Sequence, residues 1–138
     1  MKVLTIKQPW ASLIAGGVKD IENRTWKTNY RGRILIHAGA QIFNPERVTL
    51  TDEQLELCQK ANKIGKLPNT DCLPYSAIIG EVDIVDCVLN HPSIWADRFF
   101  RGDKPIWNWE LANPVLYDEP ILNVKGRLSF WEYKEGIS

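Results

Sequence analysis

The sequence predicts an α+β fold built on a mostly antiparallel, barrel-like sheet. Two observations carry that expectation. Short apolar runs with strand-like alternation outnumber the helical patterns, and the helices fall between them without regular strand–helix alternation. Proline and glycine steps at Asn113-Pro114, Glu119-Pro120 and Lys125-Gly126 divide the second half into short strands. At 138 residues the chain is expected to form a single domain over 1–138, with a short N-terminal helix and one or two further helices packed at the side of the barrel.

Val3 to Ile6 is the first strand. Pro9 suits the first helical position, and a brief helix runs from Trp10 to Ala15, stopped by Gly16-Gly17. If Asp20 to Trp26 is extended, Glu22, Arg24 and Trp26 share one face, with Lys19 just before them. Tyr30-Arg31-Gly32-Arg33 turns into the strand Ile34 to Ile36, which ends on His37-Ala38-Gly39, polar and small as where a strand meets a cleft. Gln41 to Arg47 is a turn-rich linker. Thr51 and Gln54 form a capping box for a helix with a stripe of Leu55, Cys58 and Ala61, joined by Leu57 and Ile64 and ended by Gly65. That helix reads as a layer over one mouth of the barrel.

Lys66 to Tyr75, with Pro68 and Pro74, is a surface loop. Ser76 to Asn90 is the longest strand candidate. Val82, Ile84 and Val88 fall on one face, and Glu81, Asp83, Val85 and Cys87 on the other. Gly80 marks a bulge or a close backbone approach. Ser93 is placed to cap a short helix from Ile94 to Phe100. Lys104-Pro105 opens the strand Ile106 to Leu111, where Trp107, Trp109 and Leu111 oppose Asn108 and Glu110. Turns at Asn113-Pro114 and Glu119-Pro120 precede the strands Ile121 to Val124 and Arg127 to Tyr133, with Leu128 and Phe130 facing the same way.

A hydrophobic content of 44% and a charged content of 25% are those of a soluble globular protein. No apolar run approaches the roughly 20 residues of a membrane span, and the N-terminus turns polar too soon for a signal peptide. A cytoplasmic location and no membrane partner are the expectation. Cys58, Cys72 and Cys87 form no CxxC pair, so Cys58 and Cys87 read as core thiols. A metal site would need His37 and His91 brought together from far apart; no metal and no cofactor are predicted.

Charge is distributed unevenly. The chain balances 17 basic against 17 acidic residues, yet residues 1–40 hold seven Lys and Arg against Asp20 and Glu22, while residues 66–138 hold seven against eleven. One basic side on a neutral protein recruits an anion by its local field, without the overall basicity of a nonspecific nucleic-acid binder. Lys19, Glu22 and Arg24, with Trp26 on their face, are the centre of the candidate site. Lys7, Gln8 and Trp10 flank it at the strand-to-helix corner, and Arg31 and His37 follow. For the three charges alone, a solvated face with a salt bridge is the simpler reading. The six tryptophans of the chain read first as core, although an indole at a strand end can stack on a base.

The runs Gln8-Pro9-Trp10-Ala11, Gly16 to Thr25 and Tyr30 to Ala38 resemble the opening signature of the ASCH domain family. Gly80-Glu81-Val82 and Gly126 to Trp131 are similar to its closing elements, so the likeness covers nearly the whole chain. This resemblance implies a PUA-like mixed β-barrel and an RNA-related role, with RNA or a modified nucleotide held in a Lys/Glu/Arg cleft. Lys7, Lys19, Arg24 and Arg31 would contact phosphates or base edges, Trp10 or Trp26 would stack, and Glu22 would accept from a base amino group, with Gln8 and His37 beside them. A hydrolase of RNA or a modified nucleoside is the alternative. Relatives that resemble deacylases of a modified cytidine use a Lys and a Thr at the positions of Lys19 and Glu22. Here Glu22 replaces that hydroxyl, which removes the amidohydrolase nucleophile but leaves Glu22 as a general base with Lys19 as electrophile. ASCH domains also occur in transcription coactivators, so a protein partner is a third possibility, which nothing in this sequence singles out.

Overall fold

The computed structural model describes residues 1–65 and 67–134. Six strands form one sheet: β1 (Lys2–Ile6), β2 (Ile21–Arg24), β3 (Gly32–Ala38), β4 (Ala77–Val88), β7 (Trp107–Ile121) and β8 (Phe130–Glu132), in the order β2-β7-β4-β3-β1-β8. β1 and β3 run parallel, and every other neighbouring pair is antiparallel. A parallel pair needs a crossover, and here it contains helix α1 (Trp10–Ala15) and β2. The strands β5 (Phe100–Arg101) and β6 (Lys104–Pro105) form a separate small hairpin.

The sheet curls. Phe130 on β8 stacks on Trp109 of β7 with ring centroids 5.6 Å apart, and meets Trp26 edge-on at 5.7 Å. Three strands lie between β7 and β8, so their rings touch only because the sheet rolls into a half-barrel. Its two ends approach, and among the described residues they do not pair; Arg24 Nη2 on β2 donates across the gap at 2.8 Å to Thr5 O, on the end of β1 that β8 leaves uncovered. Ile6, Ile14, Ile34, Ile36, Ile79, Val82, Ile84 and Trp109 fill the concave side. Gly80 shapes the curl: a Cβ there would lie 2.2 Å from Val115 O, so only glycine lets β4 and β7 approach this closely. On the convex side Val3, Leu35 and Ile78 form a smaller cluster under Tyr117, Val124, Trp131 and Tyr133.

Helix α1 has the predicted bounds, but Pro9 precedes it as the N-cap instead of opening its first turn. Gln8 supplies the cap that Pro9 lacks, its Oε1 accepting from Ser12 N at 3.0 Å. Helix α2 (Asp52–Lys63) carries the Thr51–Gln54 capping box. Its apolar stripe is narrower than expected. Ala61 is buried and Cys58 half-buried beside Leu13 of α1, whereas Leu55, Leu57 and Ile64 are exposed. The helix therefore lies alongside α1. Cys87 is buried and Cys72 exposed.

Three expectations are corrected. No helix forms over 94–100, because side chains from β2 and β7 take the backbone groups it would need. Asn23 Nδ2 donates to Trp95 O at 3.0 Å, Asn23 Oδ1 accepts from Asp97 N at 3.0 Å, and Asn108 Nδ2 donates to Asp97 O at 2.9 Å. What remains of the predicted cap is a turn in which Ser93 Oγ accepts from Trp95 N. Second, β7 continues through Asn113-Pro114 and Glu119-Pro120. β2 pairs with Trp107–Glu110 and Leu111 N donates to Asp20 O just before it, so among the described residues one side of β7 beyond Leu111 is unpaired, where a missing proline N–H costs little. Ile121 ends this strand and starts no new one. Third, register shifts in β4, one between Ile84 and Asp86, move Cys87 to the core side with Val82 and Ile84. Leu128 likewise parts from Phe130: Ser129 turns at φ 55° and leaves Leu128 93% exposed.

Candidate ligand cleft

An open cleft of about 770 Å³ lies at the seam of the half-barrel. One wall is the end of β1, with Thr5, Ile6 and Lys7; the other is β2, with Glu22, Asn23 and Arg24. Trp10 of α1, Lys19 and Trp95 border it, and Arg47, Asp97, Arg101 and Arg127 enter from four different loops and hairpins. Six basic side chains thus face it against the carboxylates of Glu22 and Asp97.

The glycine stop of α1 decides where Lys19 goes. Gly17 takes φ 78°, the chain reverses, and Lys19 is brought back along the helix. The lysine is 6% exposed; its Nζ donates to Ile21 O and lies 5.5 Å from the centroid of the Trp10 ring. Burial pushes its amine below the usual lysine range, against the opposing pull of Glu22, Asp97 and Asp20. Glu22 is 7% exposed and accepts from Arg24 Nε at 2.9 Å, with Arg24 Nη2 2.8 Å from the same oxygen. Arg24 is thereby held between Glu22 and Thr5 O at the mouth of the seam. Trp95 is buried at the cleft, and among the described residues its Nε1 has no acceptor.

Of the predicted site residues, the structure brings Lys7, Trp10, Lys19, Glu22 and Arg24 to the cleft. Gln8 is buried beneath α1, donating to Ser12 Oγ and Pro74 O. Trp26 does not continue the face of Glu22 and Arg24. β2 ends at Arg24, and the indole turns inward to meet Trp109 edge-on at 4.6 Å. Arg31 donates to Thr28 O and Tyr30 O and lies 3.7 Å from Asp86. His37 is buried on the other side of β1. Its Nε2 donates to Val124 O at 2.6 Å, and its Nδ1 accepts from the Thr5 hydroxyl, which in turn accepts from Trp131 Nε1.

Arg47, Arg101, Arg127 and Trp95 went unread in the sequence. Arg127 falls in the Gly126 to Trp131 run and the other three in segments without a motif, and no local signal assigns any of them to a shared site. Among the described residues no three His, Cys, Asp or Glu side chains are grouped as metal ligands would be. No helix among them is long and apolar enough to cross a membrane.

The fold and this seam are those of a small α+β domain with a curled mixed sheet. Residues 4–120 match the ASCH domain model, and the chain belongs to the ASCH domain family. It is 36% identical over 141 aligned positions to Activating signal cointegrator 1 of Homo sapiens, across 97% of this chain and 22% of that protein. To Activating signal cointegrator 1 of Mus musculus it is 35% identical over 85 positions, across 62% of this chain and 14% of that protein. The chain therefore spans less than a quarter of the length of these relatives.

Proposed function

We propose that this protein binds single-stranded RNA or a nucleotide-like ligand in the seam cleft, on a PUA-like half-barrel. The supporting observation is the charge of the cleft, six basic side chains against two acidic in a chain with no net charge. Lys7, Arg47, Arg101 and Arg127 would meet phosphates at the rim, where they are exposed. Trp10 offers indole surface to a base, and Glu22 offers an acceptor to its edge. Arg24 would place charge at the mouth of the seam, with the buried Lys19 amine behind it. Gln8, Trp26, Arg31 and His37 would act behind this surface by holding α1, the core and the strands that carry it.

Fluorescence anisotropy with labelled single-stranded RNA tests this reading. Lys7→Glu combined with Arg127→Glu should cut affinity on the order of a hundredfold at low salt and flatten the salt dependence, while the melting temperature holds. Unchanged affinity would overturn it. The hydrolase alternative is supported by Lys19 and Glu22 lining the same cleft, both nearly buried. The same RNA, followed for fragments, separates the two: cleavage lost in Glu22→Gln with binding retained would favour hydrolysis.

A further inference from the structure

The β5–β6 hairpin presents two consecutive aromatic residues to solvent. Phe99 is 82% and Phe100 66% exposed, and among the described residues neither ring joins a core cluster. Phe99 adopts φ 73°, a left-handed conformation that is unfavourable for a bulky residue. The hairpin is nevertheless firmly rooted. Asn23 and Asn108 hold Trp95 O and both backbone groups of Asp97, and Ile106 N donates to Phe99 O at 3.1 Å. Burial of these rings does not maintain the turn, yet the turn keeps both of them in water.

Their neighbours are basic. Arg98 precedes the two rings, Arg101 follows them, and Lys104 pairs with Arg101 across the hairpin, with Asp103 as the acidic residue of the turn. Arg101 also lines the seam cleft, and so does Asp97 at the root of the hairpin. The aromatic pair therefore stands beside the cleft on the element that supplies one of its cations. Two adjacent rings flanked by guanidinium groups, next to a basic channel, suit a polyanion with a flat, unpaired group at every repeat. Single-stranded nucleic acid has that chemistry.

We propose that the β5–β6 hairpin is a second binding element, on which Phe99 and Phe100 stack bases of a single strand leaving the cleft, so that the ligand is an oligonucleotide and not a free nucleotide. This rests on the reading of the cleft given above and extends it. The cleft holds one nucleotide, Arg101 and Lys104 take the phosphates that follow, and the two rings take the next bases. Nothing here requires the strand's sequence to be read, because every base has a stacking face.

The test is a length series on the whole chain: a mixture of the four nucleoside monophosphates, then labelled RNA of mixed sequence three, six and nine nucleotides long. Affinity should rise with length. Phe99→Ala with Phe100→Ala should weaken the longest RNA by about tenfold or more, leave the monophosphates unchanged and leave the melting temperature within error, because both rings are exposed. Phe99→Tyr with Phe100→Tyr should retain the affinity. If the unsubstituted protein binds no RNA of any length, the cleft reading fails along with this one. If binding is independent of length, or the alanine variant matches the parent on the longest RNA, the hairpin's role alone is overturned. Two further results would also overturn it: a dimer in sedimentation that the alanine pair disperses, which would assign the rings to contact between copies, or Phe-dependent capture by anionic phospholipid vesicles without any length effect on RNA.

Discussion

Two clusters of basic and acidic side chains sit on neighbouring strands of this sheet, and they are put together differently. On the convex face, Arg33 Nε donates to Glu81 at 2.9 Å and its Nη1 lies 3.2 Å from Asp83. Tyr117 donates to the other oxygen of Glu81 at 2.5 Å, and Asn113 to the other oxygen of Asp83 at 3.0 Å. One cation is answered by two carboxylates, and all four carboxylate oxygens are engaged. At the seam, Glu22 answers Arg24 and Lys19 spends its proton on a carbonyl, while among the described residues Lys7, Arg47, Arg101 and Arg127 have no carboxylate partner. An arginine answered across strands by two carboxylates thus makes a closed structural knot in one place, while a glutamate and an arginine two residues apart on one strand border an open basic surface in the other. The difference lies in how many carboxylates the neighbouring segments bring to each cation.

The strongest way to sharpen the contrast is on the structural side, where β4 meets β7. Gly80→Ala places a methyl group against a backbone oxygen that cannot move aside, and should cost about 3 kcal/mol or more, lowering the melting temperature on the order of 10 °C. RNA affinity per folded molecule should be kept. A melting temperature within a degree or two of the parent would mean the close approach is not what shapes the curl. Next in size is Arg33→Gln, which leaves two partly buried carboxylates without their cation. It should destabilise by about 1–3 kcal/mol and alter RNA affinity by less than about twofold. If it weakened binding as much as the double charge reversal at the rim, the two clusters would not be separate in function.

The smallest effect is a pH dependence. Burial holds the His37 imidazole below its ordinary value, opposed by the hydrogen bond to Val124 O. The unfolded chain therefore takes up the proton first. Stability should be level above about pH 6.5 and decline as the pH falls below it towards the folded value. Hydrogen bonds from Tyr117 and Arg33 depress the Glu81 carboxyl, so its contribution is complete above about pH 4.3 and is lost as pH falls through its lower folded value. A melting-temperature profile should show the first decline in the parent and not in His37→Gln, and the second in both. A single decline beginning below about pH 5 in both proteins would remove His37 from this assignment.

Much of the local structure was legible in the chain. The glycine stop after Ala15 and the Thr51–Gln54 capping box depend on a few adjacent residues, the close approach at Gly80 shows itself as a glycine inside an apolar strand run, and all stand in the structure. The helix over 94–100 was misread because a serine cap is a local signal, while the carboxamides that overrule it come from Asn23 and Asn108. Trp26 was misplaced because alternation along a strand stops where the strand stops, and β2 ends two residues earlier. In the cleft, the group from Lys7 to Arg24 was readable because it is contiguous. Arg47, Arg101 and Arg127 were not, since each is one residue in a segment far from the others in the chain.

The sequence by itself determined the kind of fold, the positions of α1 and α2, and the placing of Lys19, Glu22 and Arg24 beside one another, because propensity, capping and strand alternation act over a few residues. Only the tertiary structure decided that the sheet curls far enough for Phe130 to reach Trp109, that its edges stay unpaired, and that distant arginines gather at the gap. Curling and closure depend on bulges, on packing between strands far apart in the chain, and on which edge hydrogen bonds go unmade. None of these is a property of any short stretch of residues.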